Sequence, residues 1–414
     1  MSLNTELSGI AAAQTSIDTI GNNIANMNTE GFKASYANFG ALVGASMNGA
    51  SGANSVPGQG VTTEDLSQLF TGGNVTSTGN SLDLDIVGNG FFQVQNGSGL
   101  AYTRAGSMQV DTNGFLVTDQ GAKVMGFQGA GAGSLLGSVG PIQISKAALP
   151  ATATANVGMS INLPATDPAI NTVLNPFSTA NPASYNESAT TTVYDTLGVG
   201  YTLTTYYTSV AGSGSPTNWA TNWQLSDTTG ASIATGGGPT LTFNSSGVLT
   251  SGTGATGAIG GLPDGAAALN INLDYTGSSL SNQAFDVSSI TNDGSAAGNF
   301  TGVQIGSDGQ VTGQYSNGGT KVFGTVALAN FANLQGLIPT DGTLWLASNN
   351  SGPPVLGAPG TGALGTIRSG ALEGSNVDLS TQLVNLIVAQ QAFQANAQAI
   401  NYEQQNVQHL LNIQ

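Results

Sequence analysis

The chain has 414 residues and a formal net charge of −16, because 22 acidic side chains face only 6 basic ones. So few bases cannot neutralise the phosphates of a nucleic acid or hold the chain on an anionic membrane surface. No apolar run in the sequence approaches the ~20 residues of a membrane-spanning helix. The lack of cysteine excludes disulfides and cysteine-ligated metals. The 60 glycines and the charged fraction of 7% favour β-structure with tight turns.

The first residues of the chain predict an amphipathic helix. Large apolar side chains recur there every seven positions, as in the seam of a coiled coil. The recurring set is Leu3, Ile10, Ile17 and Ile24. The helix should end near 28–31, where Asn and Gly accept left-handed backbone geometry. We therefore assign 1–32 to a helical segment and 33–70, rich in Gly, Ala, Ser and Asn, to a linker.

The next stretch changes to the alternating pattern of a β-strand. Leu82, Leu84 and Ile86 alternate with Asp83 and Asp85. Carboxylates two positions apart on a strand point the same way, so the two aspartates are candidates for paired acid–base chemistry. A solvated strand face is the commoner arrangement of such a pair, and it is the one that we predict here.

Turn residues between alternating runs predict antiparallel hairpins through the centre of the chain. Asn113-Gly114 and Asp308-Gly309 are strong hairpin patterns, and Leu197 to Gly200 marks a third turn. The central part of the chain should therefore be mainly antiparallel β-structure.

A change in composition after Lys146 divides this β-rich region. We predict a core β domain from 71–146 and 293–370, with a second, outer β domain at 147–292 inserted in it. Trp219 and Trp223 in the outer domain could form an aromatic platform for glycans, but we expect them in the buried core.

The end of the chain predicts a second and longer helix, from about Asn376 to Leu411, with a length of roughly 50 Å. Its seven-residue seam consists of Leu379, Leu386, Phe393, Ile400 and Val407. Ser375 or Asn376 should cap its start, with Asp378 in the first turn, where a carboxylate meets the positive end of the helix dipole.

The sequence contains few candidates for catalysis. The sole histidine, His409, lies near the end of the predicted helix, so neither a Ser-His-Asp triad nor a His-rich metal site can be assembled. Two glycine strings, 252–257 and 360–365, match the dinucleotide fingerprint, but neither precedes a helix. We therefore expect no catalytic, cofactor-binding or metal-ligating residues and no enzymatic activity.

Three stretches of the chain resemble the axial proteins of the bacterial flagellum, the family of rod, hook and hook-associated proteins. They are "SGIAAAQTSIDTIGNNIANMNTEGFKAS", "GNGFFQVQNGSGLAYTRAGSMQVDTNGFLVTDQGAKVMGF" and "LEGSNVDLSTQLVNLIVAQQAFQANAQAI". Within that family, "VYDTLGVGYTLTTYY", "YSNGGTKVFGTVALANFANLQGL" and the long inserted domain are most similar to hook proteins.

The resemblance implies a structural role. It implies that 1–32 and 371–414 pack as one coiled-coil domain, which polymerises copies of the chain into a curved, flexible, hollow tube that transmits torque from rod to filament. The implied partners are the flagellar rod, the hook cap, the hook–filament junction proteins and the type III export apparatus. The implied location is the extracellular flagellum, reached without a cleaved signal peptide. Phe39 and Val43 match the family's short export pattern, although a structural anchor in the linker fits them equally well.

Other functions remain open on the sequence. A distal rod protein or a hook–filament junction protein would share the terminal segments. A secreted β-rich adhesin or a glycan-acting enzyme would use the aromatic and acidic side chains of the outer domain.

Overall fold

The computed structural model of the protein describes residues 2–43, 58–97, 99–129, 137–210 and 218–411. The chain forms two compact units. The first unit comprises Met1–Ser145, Val303–Gly313 and Lys321–Gln414, and the second comprises Lys146–Gly302 and Gln314–Thr320. Helices lie at both ends of the chain and mostly antiparallel strands lie between them, so the predicted mainly-β fold with α-helical termini is confirmed.

The terminal helices are α1 (Ser2–Ala25) and α2 (Leu379–Leu411). Helix α2 begins where the Asp378 carboxylate accepts a hydrogen bond from the Thr381 N–H at 2.7 Å, an N-cap contact. The predicted cap at Ser375 or Asn376 is therefore wrong. Asn376 is used elsewhere, because its side chain accepts the Ala34 N–H at 2.8 Å and so ties the residues after α1 to those before α2.

The first group of strands follows α1. It consists of β1 (Ser35–Val43), β2 (Gly58–Gln68), β3 (Val75–Ser77), β4 (Leu84–Val87), β5 (Phe91–Asn96), β6 (Gly99–Thr103), β7 (Met108–Val110), β8 (Leu116–Thr118), β9 (Lys123–Phe127) and β10 (Val139–Pro141). Strands β1 and β2 pair antiparallel, with Ser35 opposite Gln68. They lie in the stretch predicted as a linker, so the structure differs from that prediction here. A composition of small residues does not prevent backbone pairing.

The second unit contains two sheets. Its strands are β11 (Asn156–Pro164), β12 (Glu187–Tyr194), β13 (Gly200–Ser209), β14 (Asn218–Ser226), β15 (Ser232–Gly237), β16 (Leu241–Phe243), β17 (Leu249–Ser251), β18 (Thr253–Ile259), β19 (Leu269–Asp274), β20 (Ser279–Ser281) and β21 (Asp286–Asn292). One sheet has the order β18-β19-β11-β20 with β21 also on β11, and the other has the order β12-β13-β14-β16-β17 with β15 on β14. A short 3-10 helix, Pro182–Ser184, precedes β12.

The inner faces of these two sheets form one apolar core. Trp219 is only 1% exposed and Trp223 is also buried, as are Tyr207 and Tyr275, whose rings meet edge-on at 5.9 Å. Both tryptophans therefore lie in the core, as predicted, and they do not form a surface platform.

The remaining strands belong wholly or partly to the first unit. They are β22 (Phe300–Ile305), β23 (Gln310–Tyr315), β24 (Thr320–Val326), β25 (Leu328–Asn330), β26 (Ile338–Thr340), β27 (Leu344–Leu346), β28 (Val355–Gly357), β29 (Thr366–Ser369) and β30 (Ala371–Glu373), with a 3-10 turn at Leu334–Gly336. The chain passes between the two units within β22, β23 and β24. The main sheet of the first unit runs β24-β9-β5-β6-β27-β26, while β4 pairs with β29 and β3 with β30.

Aromatic rings fill part of the core beneath this main sheet. The ring centroids of Phe91 and Trp345 are 5.5 Å apart, and those of Tyr102 and Phe331 are 4.8 Å apart, both in edge-to-face geometry. Such pairs stabilise a core by about 0.5–1.5 kcal/mol beyond the burial of their surface.

The predicted hairpin turns are present. Gly114 between β7 and β8 has a φ of +82°, and Gly309 between β22 and β23 has a φ of +76°, a conformation that glycine adopts without steric cost. The third turn joins β12 to β13, with Tyr194 opposite Gly200. These three predictions are confirmed.

Candidate functional site

The two terminal helices pack side by side and antiparallel. Near the end of α1, the Asn23 amide donates a hydrogen bond to Gln382 Oε1 at 3.3 Å, close to the start of α2. Near the start of α1, a Cβ atom on Gly9 would lie 2.8 Å from Nδ2 of Asn396, further along α2. The missing side chain of Gly9 thus permits the close approach of the helices.

The residues of the predicted seam differ in exposure. Six of them are partly buried within the chain: Ile10, Ile17, Ile24, Leu386, Phe393 and Ile400. Leu379 and Val407 are exposed, and the side chain of Leu3 lies outside the described residues. Some side chains of the predicted seam are therefore partly buried within one chain, and others are exposed.

Several strongly exposed aliphatic side chains of α2 lie beside the predicted seam. Val384 is 60% exposed, Ile387 53% and Val388 59%, and Leu383 next to them is also exposed. The predicted seam follows one stripe of the helix, and Val384, Ile387 and Val388 lie outside it. Their signal in the sequence is the run "LVNLIV", which is apolar on more than one helical face.

An apolar groove of about 490 Å³ lies between α1, β1 and α2. Its lining includes Ala12 and Ile20 from α1, Tyr36 and Phe39 from β1, and Val388 from α2. Phe39, the first residue of the predicted export pattern, is therefore a half-exposed wall of this groove. The side chain of Val43 lies outside the described residues.

A buried ionic cluster lies where the residues after α1 meet those before α2. Lys33 Nζ lies 2.6 Å from Glu373 Oε1, and Arg104 Nη1 lies 3.2 Å from Glu373 Oε2. Backbone carbonyls accept further donors of the two bases, with Lys33 bonded to Thr71 O and Arg104 to Gly88 O, each at 2.8 Å. We call Lys33, Arg104 and Glu373 the junction triad.

Burial sets the electrostatics around the junction triad. Desolvation lowers the pKa of Lys33, an effect that its hydrogen bond to Glu373 opposes. The pKa of Asp85 is raised, first by burial and then by the nearby charge of Glu373, and its Oδ2 atom has no hydrogen-bond partner. The junction therefore combines a paired triad, in which only Arg104 Nε lacks a hydrogen-bond partner, with one poorly solvated carboxyl group.

The prediction that Asp83 and Asp85 form a solvated face is wrong, because both residues are buried. The alternation of apolar and acidic residues predicts a strand with one solvent-exposed face, but β4 is covered on both sides. Asp83 accepts the Asn80 amide at 2.9 Å, and the backbone of Asp85 pairs with Arg368 in β29. These roles are structural, and no histidine lies in β4 or its partner strand.

The described ranges hold no group of three or more His, Asp or Glu side chains that could bind a metal ion. His409 is exposed in the last turn of α2. Neither described helix combines the length and apolar character needed to cross a membrane.

Family models cover most of the chain. The N-terminal segment 3–33 matches "Flagella basal body rod protein", 85–166 matches "Flagellar hook protein FlgE/F/G D1 domain", 162–295 matches "Flagellar basal body protein FlaE D2 domain", and 368–413 matches "Flagellar basal body rod FlgEFG protein C-terminal". The two terminal matches contain nearly all of α1 and the whole of α2, and they also contain Lys33 and Glu373 of the junction triad.

Whole-length relatives agree with these matches. The flagellar hook protein FlgE of Salmonella typhimurium is 37% identical over 418 residues, covering all of both chains, and that of Escherichia coli K12 is 36% identical over 420 residues, again covering both fully. The crystal structure of Helicobacter pylori flagellar hook protein FlgE2 superposes with a TM-score of 0.53 at 16% identity, covering 71% of this chain and 99% of that one, which supports the fold. The chain belongs to the family of flagellar hook proteins FlgE.

Proposed function

We propose that the chain is a structural subunit of the flagellar hook, and that copies of it assemble into a curved, flexible, hollow tube transmitting torque from rod to filament. The observation that carries this proposal is the surface of the helix pair. Val384, Ile387 and Val388 expose apolar surface beside an apolar groove, although each α-helix already packs on the other. Contiguous apolar surface of this kind marks a site of protein association.

Burial of this surface between copies would stabilise a polymer by about 25 cal/mol for each Å² of apolar surface removed from water. In this arrangement Leu379 and Val407, the exposed members of the seam, contact neighbouring copies. The partly buried members, such as Leu386 and Ile400, hold α1 and α2 together. Gln and Asn on the other faces of α2 would remain in contact with water.

The remaining partners follow from membership of the hook family. We propose contacts with the rod, the hook cap and the hook–filament junction proteins, export through the flagellar type III apparatus without a cleaved signal, and a final location in the extracellular flagellum. Phe39 and Val43 remain the proposed export pattern. We also propose that the chain has no enzymatic activity.

A glycan-binding adhesin receives no support from the tryptophans of the second unit, because Trp219 and Trp223 are buried. The distal rod and the hook–filament junction are less well supported than the hook, because the full-length relatives are hook proteins.

Polymerisation of purified protein, followed by electron microscopy, tests the proposal. Ile387→Asp should abolish tubes and leave the melting temperature of the single chain unchanged, because Ile387 is exposed there and would be buried only between copies. Val173→Asp is the matched control, since Val173 is 87% exposed and belongs to the second unit, whereas both helices belong to the first. Tubes formed normally by Ile387→Asp would overturn the assignment of this surface.

A further inference from the structure

The two contacts between α1 and α2 fix the register of the helix pair. Asn23 contacts Gln382, and the position of Gly9 lies against Asn396. From the first contact to the second, the chain steps back 14 residues along α1 and forward 14 residues along α2. The two helices therefore run in step, and these contacts give the level of every α1 residue on α2.

This register places the end of α2 beyond the described part of α1. Ser2, the first residue of α1, lies level with 403. Helix α2 continues to Leu411, so the residues from 404 onward extend past α1 by roughly 12 Å. Residues 404–409 are all exposed, and the side chain of Val407 is 50% exposed. We call 404–411 the α2 tip.

The apolar groove lies along the other half of the same helix pair. Its α2 wall comes from the first turns of that helix, between Gln382 and Ala392, and Tyr36 and Phe39 of β1 form another wall. Because the α2 wall and the α2 tip belong to one continuous helix, the tip of a chain cannot enter the groove of the same chain. The two surfaces can meet only between copies.

The groove and the α2 tip are both free of ionised side chains that would repel another copy. The described residues that line the groove include no Asp, Glu, Lys or Arg, and the α2 tip contains none of these four residue types. Each copy carries a formal net charge of −16, so copies repel each other where their acidic surfaces meet. A contact between groove and tip avoids this repulsion.

The shape of the groove suits a helix. Small side chains from both helices line it, among them Ala12 and Ser16 of α1 and Ala389 of α2. Small side chains allow another helix to approach to the 8–10 Å between axes that is usual in packed helices. The volume of about 490 Å³ lies in the range of pockets that enclose whole ligands. The groove can therefore receive several side chains from one helical face.

We propose that the α2 tip of one copy docks in the groove of the next copy, with Val407 among the small side chains that line it. This inference rests on the proposed role as a polymer subunit, and it names the occupant of the groove. A contact between two different surfaces is heterologous and can repeat from copy to copy, whereas a contact between two identical surfaces ends at a dimer. Docked tips would thus link copies into chains of indefinite length, as a tube requires.

Disulfide cross-linking of polymers tests the docking, because the chain has no cysteine of its own. Val407→Cys is combined with Ala12→Cys, Ser16→Cys or Ala37→Cys, so that each double variant carries one thiol on the tip and one in the groove. Tubes are grown under reducing conditions, oxidised, and analysed on a non-reducing gel. Docked tips should give a ladder of covalent dimers, trimers and longer products in at least one variant, since a disulfide needs Cα atoms within about 7 Å.

The matched controls use the opposite face of the tip. Gln405 is exposed and lies two positions before Val407, about 200° away around the helix. Gln405→Cys combined with the same groove cysteines should give a clearly weaker ladder. Variants with a single cysteine can form nothing longer than dimers, so they identify products that arise from contacts between like positions.

The critical concentration for polymerisation provides a second measurement. Val407→Asp would place a charge in the groove of the neighbouring copy, and it should raise the critical concentration by about tenfold or more. Gln405→Asp adds the same charge in the same turn and should change it much less. The melting temperature of the single chain should stay the same in both variants, because both positions are exposed there.

Three results would overturn the docking and leave the proposal of a hook subunit intact. The first is tubes, seen by electron microscopy, that give no ladder in any of the three double variants. The second is a ladder that stops at dimers, which would mean that like surfaces meet. The third is an equal effect of Val407→Asp and Gln405→Asp on the critical concentration. Failure of the parent chain to form tubes would instead contradict the proposed function, and the docking with it.

Discussion

Lys33 and Glu373 form an ion pair of 2.6 Å between residues 340 positions apart, and neither side chain is accessible to solvent. Lys33 follows the turn that ends α1, and Glu373 closes β30 just before α2. Arg104, at the end of β6, binds the other oxygen of the same carboxylate. One buried glutamate thus ties both terminal segments to the main sheet of the first unit.

Removal of the shared carboxylate should therefore be costly. Glu373→Gln leaves Lys33 and Arg104 buried without their counter-ion, and we expect the free energy of unfolding to fall by about 3–5 kcal/mol. Urea unfolding measures the change. Glu64→Gln, at an exposed position on β2, should alter it by less than about 0.5 kcal/mol. A loss below about 1 kcal/mol for Glu373→Gln would mean that the triad contributes little to folding.

The helices and hairpins could be predicted because their determinants are local. The seven-residue spacing of α1 and α2 and the glycines at 114 and 309 act over a few residues of chain. The junction triad could not be predicted in this way, because Lys33, Arg104 and Glu373 are far apart in sequence. The available hint is that Lys33 and Glu373 are isolated charges in stretches with few others.

The error at Asp83 and Asp85 has a related cause. A period of two residues shows that a strand has two different faces, but it does not show that the polar face meets water. Burial of Asp85 depends on β29, and that strand begins with Thr366, far along the chain. The exposed residues Val384 and Ile387 were missed for the opposite reason, because the partners that we propose for them belong to other copies of the chain.

Gly31 should be irreplaceable for two separable reasons. Its φ of +66° disfavours any side chain, and a Cβ atom there would lie 2.4 Å from the backbone nitrogen of Ala105. Gly31→Ala should therefore lower the free energy of unfolding by clearly more than the ~1–2 kcal/mol of the left-handed conformation alone. Gly79→Ala isolates that conformational part, because Gly79 has a φ of +74° with open space around it. Equal losses in the two variants, compared by urea unfolding, would show that the backbone shifts to relieve the contact.

Asp85 should make stability depend on pH. Its pKa in the folded chain lies above the ordinary value of 3.8, so the folded state holds the proton more tightly than the unfolded state. The resulting stabilisation is fully present below the ordinary pKa and is lost as the pH rises through the raised pKa. Asp85→Asn removes this titration. As the pH rises above 3.8, the parent should therefore lose stability relative to the variant. Urea unfolding at a series of pH values measures it, and a difference that does not change with pH would contradict the assignment.

The last prediction concerns the second unit, which we propose to be an outer domain inserted into the first. Replacing Lys146–Gly302 by a flexible Gly-Ser joint removes Trp219 and Trp223 and leaves Trp345 as the only tryptophan. Because Trp345 packs against Phe91 in the core of the first unit, its fluorescence should report one cooperative urea transition of the remaining unit. Polymers of this variant should keep the helical surface of α2 and differ from the parent in curvature or stiffness. If Trp345 is already solvent-exposed in the absence of urea, the first unit does not fold without the second, and the proposed boundary between them is wrong.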